Sequence, residues 1–256
     1  MFHDTYMACC KAAEGKLSLL KKNPLGYFVS SMLAGMFVAF GGMVSTVMSS
    51  LAAEAGSTVP KLIAALLFSS ALSLVIAAGS ELFTGNNMVM TAGALEKRVS
   101  WADVAMLWAV CWLGNLAGSV LTVVFYQLSG AIAPVHAAAF AATALAKVSY
   151  PPVQMIFRGI FCNICVCLAV WCSIKLQNEV AKLIMSVWCI LIFMICGFEH
   201  SVANMASILI GMLNAGDTVI PVLGYFKSLF FVSIGNILGG AAFVALPYWV
   251  ISWEKK

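Results

Sequence analysis

The chain has 256 residues, 62% of them hydrophobic and only 9% charged, with a formal net charge of +4. Mean hydropathy is +1.00, and several stretches of about 20 residues carry few or no charges, the length that crosses roughly 30 Å of hydrocarbon. This composition excludes a soluble enzyme. The positive balance does not point to nucleic acid, because the Lys and Arg residues sit in short loops between apolar runs.

The chain opens with residues 4–22, DTYMACCKAAEGKLSLLKK. The segment reads as a basic amphipathic helix lying at the membrane surface, or as an ordinary solvated arm. The first apolar run begins near Leu25 with no small-residue cleavage site behind it, so no cleaved signal peptide is expected. Six spans can be drawn, near 25–50, 61–93, 102–127, 153–173, 183–213 and 224–250. With the N-terminus inside, the inner segments hold Lys11, Lys16, Lys21, Lys22, Lys97, Arg98, Lys175, Lys182, Lys255 and Lys256. The outer side and outer span ends hold only Lys61, Lys147, Arg158 and Lys227. The positive-inside bias therefore places both termini in the cytoplasm. The expected organisation is a cytoplasmic amphipathic segment (1–22), one transmembrane channel domain (23–253) and a cytoplasmic C-terminus (254–256).

The second and fifth spans cover about 30 residues where about 20 suffice, and both are polar in the middle. The second carries Gly79-Ser80-Glu81-Leu82-Phe83-Thr84-Gly85-Asn86-Asn87-Met88, and the fifth carries Gly197-Phe198-Glu199-His200-Ser201-Val202-Ala203-Asn204-Met205. Gly79-x-Glu81 matches Gly197-x-Glu199, and Asn87-Met88 is echoed one position out of register by Asn204-Met205. Gly114-Asn115-Leu116-Ala117-Gly118 in the third span matches Gly235-Asn236-Ile237-Leu238-Gly239 in the sixth. The offsets, 118 residues (79 to 197) and 121 residues (115 to 236), nearly agree. Three spans separate each pair, so the copies run in opposite directions. This predicts an inverted 3+3 repeat, about 23–127 and 152–250, with the second and fifth helices broken.

Paired broken spans point to a substrate path, because backbone leaves the helix at membrane depth only where protein or a cavity receives it. A carboxylate at that depth is costly and usually functional. Glu81 and Glu199 are expected to accept hydrogen bonds from backbone N–H groups freed at the breaks; a polar kink that only packs helices is the alternative. Helix N-termini at the breaks would turn positive ends toward an anion. His200, the one histidine within a span, can change charge near neutral pH, or it can be a core residue satisfied by backbone. Thr84 offers a hydroxyl that both donates and accepts. Lys147 precedes Pro151-Pro152, which place the next helix start after them. It is expected near the outer mouth, as an anion-attracting cation or a snorkelling lysine in a loop. Most of the nine cysteines fall within spans, where Cys behaves as a small hydrophobe. No metal site, cofactor or nucleotide loop is expected.

These same residues carry a family resemblance. IAAGSELFTGNNM (76–88) and RGIFCNICVCLA (158–169) resemble the two signature stretches of the formate/nitrite transporter family, and GFEHSVANM (197–205) resembles its broken fifth span. The similarity continues through NPLGYFVSSMLAG (23–35), LAK (145–147) and GNILGGAAF (235–243), and the nitrite-channel branch looks closest. The resemblance implies a homopentamer in the lipid bilayer of the bacterial cytoplasmic membrane. Each protomer would be an all-α, aquaporin-like six-helix unit with its own pore for formate, nitrite or hydrosulfide. By position it implies apolar constrictions from Leu82, Phe83 and Phe193, with Phe68 and Leu72 earlier on the second span. Thr84 and His200 would face each other between them as pore centre and proton relay. Lys147 would attract the anion, and Asn163 would support the broken helices beside Glu81 and Glu199.

Two function classes remain: a passive or proton-linked anion pore, and a membrane-embedded enzyme or electron-carrier subunit. The second requires paired haem-ligating histidines or facing carboxylates, and one intramembrane histidine does not supply them. An aquaporin-like pore for neutral solutes competes within the first class, and Lys147 with His200 favours an anion or its conjugate acid. Nitrite is slightly favoured, with formate and hydrosulfide as alternatives.

Overall fold

The computed structural model describes residues 2–252, so the segment 254–256 and Lys255 and Lys256 lie outside the described residues. Among the described residues, six helices are long and apolar enough to cross a membrane: Pro24–Glu54, Pro60–Gly79, Trp101–Leu128, Pro152–Lys175, Glu179–Cys196 and Val222–Ser252.

Helix α1 (Phe2–Lys22) has Asp4 in its first turn and Lys21 and Lys22 in its last, which suits the helix dipole. Its apolar residues recur at helical spacing, and Tyr6, Cys9, Cys10, Ala13, Leu17 and Leu20 are buried. Protein, not lipid or water, covers that face: α1 docks against α2 (Pro24–Glu54), α5 (Phe83–Leu95), α8 (Pro152–Lys175) and α12 (Leu246–Ser252). The solvated-arm reading of residues 4–22 is therefore replaced by a helix whose apolar face is docked on protein.

The second span is α3 (Pro60–Phe68) and α4 (Ser70–Leu74), widened by a π-helical turn over Val75–Gly79. Such turns mark functional sites in helices. Gly79 then takes a φ of +75°, Ser80 is extended, and α5 begins at Phe83. The fifth span repeats the device. Helix α9 (Glu179–Cys196) closes at Gly197, φ +74°, and α10 (Ser201–Leu213) begins four residues later. The Gly197 and Phe198 amides donate back to the carbonyls of Met194 and Phe193, the left-handed cap that glycine permits.

The long α6 (Trp101–Leu128) crosses α2, and α11 (Val222–Gly240) crosses α8. Both crossings are close because glycine faces backbone: a side chain at Gly118 would strike the Met32 carbonyl, and one at Gly239 the Ile160 carbonyl. Between α6 and α8, where the sequence suggests an outer loop, lies α7 (Pro134–Ser149), opened by a proline at its first turn. It packs on α10 and α2. At its start His136 Nδ1 is 2.9 Å from the Ser50 hydroxyl.

Candidate functional site

Each break frees backbone groups, and an asparagine satisfies them. At the first, the Phe83 amide donates to Asn115 Oδ1 at 2.9 Å, and Asn115 Nδ2 donates to the carbonyls of Ser31 and Glu81 at 2.7 and 2.9 Å. At the second, the Ser201 amide donates to Asn236 Oδ1 at 2.9 Å, and Asn236 Nδ2 donates to the carbonyls of Gly159 and Glu199 at 2.8 and 3.1 Å. This corrects the expectation that Glu81 and Glu199 take the freed N–H groups. A neutral amide can accept the N–H and donate to carbonyls at once, whereas a carboxylate can only accept.

The two carboxylates instead hold cations. Both Glu81 oxygens accept from Lys16 Nζ at 2.8 Å, and Oε2 also accepts from the Tyr27 hydroxyl at 3.2 Å and from Asn86 Nδ2 at 2.9 Å. Glu199 Oε2 accepts from Lys147 Nζ and from Asn204 Nδ2, each at 2.8 Å, and Lys147 also donates to Asn204 Oδ1 at 2.9 Å. Lys147 thus sits in the last turn of α7 and not in a loop. Each glutamate bonds the asparagine five residues on, so Asn204 corresponds to Asn86, in register, and not to Asn87. Asn87 has another part: its Oδ1 accepts from Asn163 Nδ2, which also donates to the carbonyls of Thr84 and Asn236. Asn163 thereby ties α5 at the first break to the asparagine that supports the second.

Lys16 is the functional candidate that the sequence reading passed over. The signal was present: Lys16-Leu17-Ser18 and Lys147-Val148-Ser149 each stand shortly before the proline that opens a span. Without the parallel roles of α1 and α7, nothing tied the first lysine to Glu81.

Two cavities follow one another, the first beside the first break and the second between the two breaks. A vestibule of about 370 Å3 is lined by Lys16, Ser30, Leu72, Ser80, Glu81, Leu82 and Asn86, among others. Leu72 and Leu82 also bound a chamber of about 10 Å3 whose other walls include Phe68, Val166, Ile190, Phe193 and His200. That is room for about one water molecule, so the path is shut here. The two leucines form the partition on the α1 side. Phe68 meets Phe193 edge-on at 5.9 Å, and Phe193 lies nearly parallel to the His200 ring at 6.1 Å. Phe83 is buried and lines neither cavity.

His200 Nε2 is 3.0 Å from Thr84 Oγ1. Its Nδ1 accepts from the Ala203 amide at 3.1 Å, which makes His200 the N-cap of α10. A backbone amide only donates, so Nδ1 carries a lone pair, and the proton of the neutral ring is on Nε2, facing Thr84. A second proton would have to displace the cap. It would also place a positive charge at the positive end of a helix.

A multi-pass all-helical membrane protein with two broken spans meeting at a closed, histidine-walled chamber belongs to the channel and transporter class. The family model for formate/nitrite transporters matches residues 3–250, and the chain belongs to that family. It is 36% identical to the nitrite transporter NirC of Escherichia coli K12, over 97% of this chain and 92% of that protein. Among solved structures, an FNT family ion channel superposes with a TM-score of 0.92 at 36% identity, covering 97% of this chain and 98% of that one. A pentameric formate channel with formate bound gives a TM-score of 0.79 at 26% identity, covering 90% and 98%.

Proposed function

We propose that the protein is a homopentameric channel, and not an enzyme, for small monovalent anions of weak acids across the bacterial cytoplasmic membrane. Nitrite is favoured, with formate and hydrosulfide as further substrates. The observation that carries this reading is the apolar chamber with a single polar wall group, reached through a vestibule that holds a lysine–glutamate pair. A bare anion entering so dry a passage loses its hydration without replacement, a cost of several kcal/mol, and the neutral acid avoids most of it. Lys16 and Lys147 draw the anion to the two ends, and it passes the leucine and phenylalanine constrictions with a proton.

We further read the two halves as an inverted repeat with both termini cytoplasmic. In support, each half holds the same lysine–glutamate–asparagine set and the same supporting asparagine. His3 Nδ1, near the start of the chain, is 3.1 Å from the Ser252 carbonyl near its end, so the two ends share one face.

The His200 cap favours a neutral ring that donates through Nε2 toward Thr84, over a ring that takes up the travelling proton. The pH dependence of flux then follows the ionisation of the substrate acid. The deciding measurement is uptake into proteoliposomes of nitrite, formate, hydrosulfide and glycerol, with and without a pH gradient. Anion uptake that rises when the outer compartment is made acidic supports the reading. Glycerol uptake without anion uptake would replace it with a neutral-solute pore.

A further inference from the structure

Helix α1 ends in two lysines that line neither the vestibule nor the chamber. Lys21, Lys22 and Ser18 of α1 instead line a separate groove of about 330 Å3, together with Arg98 from the turn between α5 and α6. Two acids temper these cations. Glu14, also on the groove wall, pairs with Arg98 at 3.2 Å, and Asp103, in the first turn of α6, pairs with Lys21 at 2.8 Å. Among the described residues, Lys22 has no carboxylate partner, and neither has Lys97, the exposed neighbour of Arg98 in the same turn. Glu96 in that turn is engaged elsewhere: its Oε1 accepts from the indole N–H of Trp249 in α12 at 2.8 Å. The groove therefore keeps a positive excess after every ion pair around it is counted.

The apolar outside of the bundle begins at the edge of this groove. Lys22 is followed by exposed Leu25 and, one turn further into α2, exposed Val29. Arg98 is followed by Trp101, exposed at the first turn of α6, with Met106 and Leu113 exposed further along the same helix. Helices α2 and α6 pack against each other, so both apolar surfaces start from the same cationic rim. An outward Trp at a span end suits headgroup depth.

We propose that this groove is a binding site for the headgroup of an anionic phospholipid, whose acyl chains lie along the exposed faces of α2 and α6. Charge and shape select that ligand. A phosphodiester carries a single negative charge, which Lys22, Arg98 and Lys21 balance while Ser18 donates a hydrogen bond. Free phosphate is close to doubly charged at neutral pH. It would meet Glu14 and Asp103 with no apolar contact in return. A zwitterionic headgroup brings its own cation to a site that already has an excess of them. Bound here, the lipid ties the end of α1 to the leaflet on its side. The site needs only the membrane-spanning fold, and stands whichever anion the channel carries.

The test is native mass spectrometry of the full-length protein in mild detergent. It is titrated with phosphatidylglycerol or with phosphatidylethanolamine of the same acyl chains. The wild type should bind phosphatidylglycerol roughly tenfold more tightly, and Lys22→Gln should cut that preference by about fivefold. Lys22 makes no ion pair, so this variant breaks none in the fold. Lys22→Gln combined with Arg98→Gln should erase the preference. Lys175→Gln with Lys182→Gln makes the same charge change on α8 and α9 and should leave the preference intact. Equal binding of the two lipids by the wild type would overturn the proposal. So would an equal loss in the Lys175 and Lys182 pair, which would mean diffuse charge and no site. Displacement of phosphatidylglycerol by about 10 mM inorganic phosphate would overturn it too, because the ligand would then be free phosphate.

Discussion

At the scale of single residues, the two halves place unlike side chains at like positions. Counted from the matched glycines, Leu82 stands where His200 stands, and Thr84 where Val202 stands. One break therefore offers an apolar wall and a hydroxyl, and the other offers the imidazole that meets that hydroxyl. His200→Asn replaces the ring with another good N-cap, so the pentamer should still form. Uptake should fall by about tenfold with the loss of the Nε2–H donor, while its profile from about pH 5 to 8 keeps its shape. A flattened profile, measured as radiolabelled uptake beside current in the same liposomes, would show that His200 is a proton relay after all. The leucine partition gives a second prediction. A hydrophobic ring gates by excluding water and ions. Leu82→Val or Phe193→Ala should raise flux by roughly three- to tenfold and relax selectivity among nitrite, formate and chloride. Unchanged conductance and selectivity in both would place the gate elsewhere.

At the scale of elements, the docked α1 and the supported breaks are the parts to probe. Burial pushes the Cys9 and Cys10 thiols up to about 12, so at pH 8 both remain protonated, and only the thiolate is nucleophilic. Alkylation of these two cysteines, resolved site by site in mass spectrometry, should be slow. Lys16→Ala removes the ammonium from Glu81 and leaves the carboxylate with only Tyr27 and Asn86. Part-buried as the pair is, with side-chain exposures of 23% and 12%, this weakens α1 docking by about 1–3 kcal/mol. Alkylation should then speed up by about tenfold or more; an unchanged rate would show that the apolar face alone holds the helix. Asn115→Ala strips the bond from the Phe83 amide and one donor from each of two carbonyls. The loss is about 3 kcal/mol, seen as a melting temperature lowered by several degrees in detergent. Asn236→Ala should match it, because its bonds are the same set.

At the scale of the whole molecule, large apolar side chains such as Leu113, Phe125, Phe157, Trp188, Phe230 and Phe243 point outward. Outward apolar surface on a membrane protein meets lipid or another protomer. With the path inside each chain, association through these faces leaves five separate routes. Native mass spectrometry in mild detergent should give five copies, and a stable monomer or dimer would count against the assembly.

Much of this was legible in the sequence, because hydrocarbon imposes strong rules on a chain. Spans must be long and apolar, polar residues inside them must have a use, and a repeated polar break is visible as a repeated word. The six crossing helices, the positions of Glu81 and Glu199, and the meeting of Thr84 with His200 follow from those rules and from the family resemblance. Lys16, the helical state of residues 134–149 and the part played by Asn115 and Asn236 were not legible. Each depends on partners far along the chain: Lys16 meets Glu81 across 65 residues, and Asn115 meets Ser31 across 84. The same short polar words allow several pairings. Only the packed structure decided that amides take the backbone of the breaks while lysines take the carboxylates, because only there do the reach of each side chain and its count of donors and acceptors have to be satisfied together.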